Sequence, residues 1–195
     1  MNNIFSILNP KAHNLLKRWI NELNVKVKLS KERKTKLGDF KVYQGNMYIT
    51  INDNLNKYSF LITLVHELAH AFVYVEYKNT VDPHGKEWKN KFKFLMLNFL
   101  SSEYFPDVIL NPLSQYLISP KASTYSDLDL AKSLQLYDDC ILNTILEIND
   151  KNSFFTYSER KFIILNKLRK RYKCKEISTG KVYLFHPLTQ VKMHK

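Results

Sequence analysis

The stretch Phe60-Leu61-Ile62-Thr63-Leu64-Val65-His66-Glu67-Leu68-Ala69-His70-Ala71-Phe72-Val73-Tyr74-Val75 decides the fold. Its flanks are apolar enough for a buried helix, predicted from about residue 58 to about residue 77. On an α-helix, residues four apart are separated by roughly 40° around the axis, so His66 and His70 leave the same face about one turn apart. That spacing lets two neutral ring nitrogens reach one Zn2+ at about 2.0–2.1 Å. Glu67, next to the first histidine, stands where a carboxylate takes a proton from water activated by the ion. Two histidines and a glutamate inside a buried helix are costly unless they are paired or bound to a metal.

A hydrolytic zinc site wants three protein ligands and one open position. The metzincin pattern puts glycine three residues and histidine six residues after the second ligand. Those positions are Val73 and Glu76, so that subclass is excluded. Two candidates for the third ligand follow in Asp82-Pro83-His84-Gly85-Lys86-Glu87-Trp88: His84, and Glu87 one turn further on.

On the N-terminal side, Asn9-Pro10 reads as a cap and first turn, and Leu15, Leu16, Trp19, Ile20 and Leu23 then form one apolar helical face. Residues 25–29, 40–43 and 47–51 alternate like strands, with Gln44-Gly45-Asn46 as a turn, and predict a small antiparallel sheet. On the C-terminal side, Asp82-Pro83 reads as the start of a helix with a stripe of Phe92, Leu95, Met96, Phe99 and Leu100. Residues 101–125 carry Pro106, Pro112 and Pro120 with little periodicity and mark a boundary. A short helix at 127–136 then leads into β-rich runs at 154–157, 162–165, 172–174 and 182–185, the last two joined by a turn at Ser178-Thr179-Gly180-Lys181. The expected class is α+β, with a catalytic domain over 1–120 and a β-rich module over 121–195.

Thr35-Lys36-Leu37-Gly38, His66-Glu67-Leu68-Ala69-His70 and His84-Gly85-x-x-Trp88, in that order, resemble the SprT-like family of zinc metalloproteases over roughly residues 10–120. The resemblance implies His66, His70 and His84 as ligands of one Zn2+ and Glu67 as general base. It also implies a small sheet on the active-site helix, a protein substrate, and DNA-associated proteins as candidates for that substrate. Trp88 falls where the family has a large apolar residue, and core packing is its expected role. Many family members end in a zinc ribbon with two cysteine pairs. Here Cys174 stands without such partners, so no second zinc is expected.

The 195 residues carry a formal net charge of +12. Basic clusters lie between Lys26 and Lys41 and between Arg160 and Lys175, and make DNA a candidate partner. Lysine outnumbers arginine 25 to 5, which weighs against selection for bidentate phosphate contacts. The two cysteines, Cys140 and Cys174, exclude a disulfide framework. No unbroken apolar run approaches the roughly 18 residues of a membrane span, and a cytoplasmic protein is expected. The alternative function is a non-catalytic, zinc-stabilised module that binds nucleic acid or protein.

Overall fold

The computed structural model describes residues 4–33, 35–138, 143–144, 153–169 and 171–193. Its two compact units are Met1–Asp139 and Cys140–Lys195.

The first unit opens with two 3-10 turns, Ile4–Ser6 and Pro10–Ala12, the second capped by Asn9, whose side chain accepts from Lys11 N–H, and continues into α1 (His13–Glu22). Strands β1 (Val25–Ser30), β2 (Gly38–Tyr43) and β3 (Asn46–Asn52) form a sheet in the order β1-β3-β2. The β2–β3 hairpin is antiparallel, and Gln44 and Gly45 both adopt positive φ, as a two-residue turn of that hand requires. β1 joins β3 in parallel, so the sheet is mixed where a purely antiparallel one was expected. The reason is the connection: residues 31–37 carry the chain past β3 to the far side, and β3 returns into the gap.

α2 (Lys57–Tyr77) packs on this sheet. Asn56 caps it by accepting from the N–H groups of Tyr58 and Ser59. No glycine or proline interrupts it, and its buried side chains run from Ser59 to Val73 on most of its circumference. By length and composition it is also apolar enough to cross a membrane, although no unbroken run is. α3 (Lys86–Met96) begins after a turn in which Gly85 N–H donates to Asp82 C=O, four residues later than Asp82-Pro83 suggested.

Residues 101–125 are not irregular throughout: they hold α4 (Asp107–Ile118). Pro106 occupies its cap, Pro112 is accommodated inside it, and Ile109, Leu113, Tyr116 and Leu117 are buried. α5 (Leu128–Gln135) packs on α4 and buries Leu130 and Leu134 in the same core. The Asn56 amide donates to Leu134 C=O and to Asp138, tying the end of α5 to the start of α2. The boundary expected at 120 is therefore displaced: α5 belongs with the first unit, and the division falls after Asp139.

The second unit is a sheet of β4 (Asn143–Thr144), β5 (Phe154–Tyr157), β6 (Arg160–Lys167), β7 (Tyr172–Glu176), β8 (Val182–Phe185) and β9 (Gln190–Met193), in the order β4-β9-β5-β6-β7-β8. All its pairs are antiparallel. Phe155, Phe162, Ile164, Tyr172, Cys174 and Phe185 alternate onto one face and make its core. Arg160 grips Glu176 with two hydrogen bonds of 2.6 and 2.7 Å. The expected turn at residues 178–181 is present, with Gly180 N–H donating to Glu176 C=O at a φ of +70°.

Candidate metal centre

α2 sends His66 and His70 from one face, and the turn ahead of α3 brings His84 to them. The three Nε2 atoms stand 3.2 Å (His66–His70), 3.1 Å (His70–His84) and 3.3 Å (His84–His66) apart. Ligands at 2.0–2.1 Å from a tetrahedral ion would be about 3.3–3.4 Å apart, so the spacing fits a single small cation. Among the described residues, these three are the histidines, cysteines and carboxylates that meet closely enough to hold a metal. Glu87, the other candidate third ligand, is not in the group.

Burial keeps the rings neutral, which is the form that ligates. It pushes His66 well below the usual imidazole range, with the neighbouring His70 and His84 adding to the effect. His70 is lowered to about 4 by burial and by His84, and His84 is lowered by burial. Trp88, fully buried, walls the group from behind. Its ring lies 4.5–5.3 Å from all three imidazoles and stacks on Phe92 at 5.1 Å. Its Nε1–H points to His66 C=O at 3.4 Å, so it packs and also steadies the helix backbone beneath the first histidine.

Glu67 faces the sheet and is buried at 6% exposure. Burial, then the charge of Asp39, raises its carboxyl to about 8, against opposing pulls from Arg33, from a hydrogen bond donated by Phe40 backbone N–H, and from Lys36. Gly38 makes this approach possible. A Cβ there would lie 2.5 Å from Glu67 Oε1 and 2.7 Å from Thr63 Cγ2, so the position is glycine for space. Behind it, Arg33 donates to Asn52 Oδ1 (2.8 Å) and Thr50 Oγ1 (2.9 Å). Buried Asn52 returns bonds to the carbonyls of Arg33 and Lys36 at 3.1 Å each. This knot fixes the segment that delivers Gly38 and Phe40. Sequence reasoning quoted Gly38 without a role and assigned none to Phe40 or Asn52. The only signal was the glycine itself, in a chain with four.

The three histidines and Glu67 lie in a cleft of about 540 Å³ within the first unit, also lined by Lys36, Phe40, Tyr74, Asn79, Pro83 and Thr124. Elsewhere, Cys174 is a core residue of the second unit with its thiol pushed up to about 11 by burial, and it joins no metal-holding group among the described residues. Cys140 lies outside the described residues.

A model of the SprT-like family matches residues 4–104, a span that holds the mixed sheet, α2, the His84 turn and α3. No curated protein matches the chain.

Proposed function

The chain belongs to the SprT-like family, and from that premise we propose that it is a zinc-dependent metallopeptidase in which His66, His70 and His84 hold one Zn2+ and Glu67 is the general base. The observation that carries the reading is the convergence of three neutral imidazoles, 3.1–3.3 Å apart at Nε2, in a cleft beside a buried carboxyl. Bound there, Zn2+ would supply Lewis-acid charge to a peptide carbonyl and lower the pKa of water to about 7.

The chain's own residues do the remainder. Glu67 takes a proton as the water oxygen bonds to the carbonyl carbon, and passes it to the amine nitrogen as the C–N bond breaks. Gly38 leaves the Glu67 carboxyl room against β2. Trp88 excludes solvent behind the imidazoles. A purely structural zinc site has no use for a buried carboxyl next to an open cleft, which favours the enzyme over the binding-module alternative. The net charge of +12 supports acidic or DNA-associated proteins as substrates.

Casein cleavage by the zinc-loaded protein and its Glu67→Gln variant tests the assignment. The variant is expected to lose about 10²–10⁴-fold in rate while retaining zinc. Equal cleavage by both would sink it.

A further inference from the structure

We infer that residues 122–124 select the substrate: they close one end of the cleft and admit, beside the scissile bond, only a small and uncharged side chain. The inference rests on the peptidase reading for the identity of the ligand, and on the packing of the first unit for the site. The cleft has two unlike ends. At one, Gly38 on the edge strand β2 meets Thr63 of α2, and Thr124 lines a small cavity with Leu37 and with Ser59, one turn before Thr63. At the other, the Tyr74 ring lies 5.9 Å from that of Phe40, and Lys78 stands 5.0 Å over Tyr74. Along α2 the two ligating histidines and Glu67 fall between Thr63 and Tyr74.

Ala122, Ser123 and Thr124 lie beyond the 4–104 span of the family match, and all three line the cleft. They belong to the connection between α4 and α5, which is held at both ends. Tyr116, buried on α4, donates its hydroxyl to Lys121 C=O at 2.6 Å. Ser123 C=O accepts from Ser126 Oγ at 2.6 Å and from Ser126 N–H at 3.1 Å, and Thr124 C=O accepts from Asp127 N–H at 3.1 Å. Asp127 in turn caps α5 by accepting from Leu130 N–H. A segment tied in this way does not retreat before a bulky side chain, so crowding against it is repulsive. Charge is disfavoured at the same end because it finds no partner. Lys36, next to Leu37 in the chain, is already paired with Asp39 at 2.8 Å. The other side chains there, Leu37, Ile62, Ala122 and the hydroxyls of Thr63, Ser123 and Thr124, are uncharged. An ionised side chain would give up water for them and gain no counter-charge.

The test uses the full-length, zinc-loaded protein. The bonds that it cuts in casein are located by mass spectrometry, and a peptide spanning one of them is made with Gly, Ala, Leu or Lys in turn at each residue flanking the bond. At one of the two positions, kcat/KM is expected to be at least tenfold higher with Ala than with Leu or Lys. Thr124→Ala widens that end of the cleft and is expected to raise the Leu-to-Ala ratio about tenfold, with preference at the other flanking position unchanged. Ala122→Leu, at an exposed position that tolerates the larger side chain, narrows it and is expected to lower the Ala-to-Gly ratio. The wild-type ratios in either variant at unchanged melting temperature, or an equal loss on every peptide, would overturn the inference and leave the peptidase standing. Zinc-loaded protein that cuts no bond in casein would refute the peptidase, and the selection with it.

Discussion

At the residue scale, Glu67 is packed tightly against Gly38, and small changes there should separate metal binding from chemistry. Gly38→Ala places a methyl 2.5 Å from Glu67 Oε1 and pushes the carboxyl aside. Overpacking of this kind costs about 1–3 kcal/mol. The expected outcome is at least a tenfold loss of casein cleavage with zinc per chain unchanged, checked by steady-state kinetics beside metal analysis. Wild-type cleavage by the variant would show that the approach of Gly38 does not position the base. His66, Glu67 and His70 were legible because one helical turn joins them. His84 was legible only as one of two candidates, since a gap of 14 residues from His70 does not determine which side chain of the 82–88 turn comes back. The contact between Gly38 and Glu67, 29 residues apart, leaves no periodic trace in the sequence.

At the scale of elements, the edge strand depends on the polar knot of Arg33 with Thr50 and Asn52. Arg33→Ala would leave the buried Asn52 Oδ1 without its 2.8 Å donor and Thr50 without its own. The expected cost is about 1–3 kcal/mol in a denaturant titration, with hydrogen exchange faster in β2 than in β1. Uniform exchange rates across the sheet would mean that the knot is not what anchors β2. The β2–β3 hairpin could be read from Gln44-Gly45-Asn46, which supplies the positive φ values that its turn needs. The parallel β1–β3 pairing could not, because it depends on where residues 31–37 run. α4 is hidden by its prolines: Pro106 is a cap and Pro112 an interior residue, and both read as helix breakers in the sequence. Its buried positions 109, 113, 116 and 117 do have helical spacing. β9, with only Val191 and Met193 as apolar residues either side of Lys192, is too short a run to be recognised.

At the scale of the whole molecule, the two units should answer to different agents. Metal stabilises only the unit that binds it, by about 4 kcal/mol at a thousandfold excess over Kd. Chelation should therefore lower the melting transition of the first unit, followed by fluorescence of Trp19 and Trp88, both of which lie in it. Acid should act on the second. Hydrogen bonds from Arg160 and Thr179 hold the Glu176 carboxyl down at about 2. A carboxyl lowered on folding contributes stability that is fully present above its unfolded value near 4.5 and is lost as pH falls towards 2. Amide signals of the second unit should report that loss over this window, and Glu176→Gln should remove the dependence. A variant that keeps the same acid transition would point to other groups. The β-rich character of this unit was legible from its alternating runs, but the membership of α5 was not, because the packing of Leu130 and Leu134 on α4 is a tertiary fact.

The account stands most directly on His84 as the third ligand. The measurement is zinc per chain in the purified wild-type protein, His84→Ala and Glu87→Ala. About one zinc in the wild type and in Glu87→Ala, with loss in His84→Ala, is the predicted result. Zinc fully retained by His84→Ala, or absent from the wild type, would contradict it.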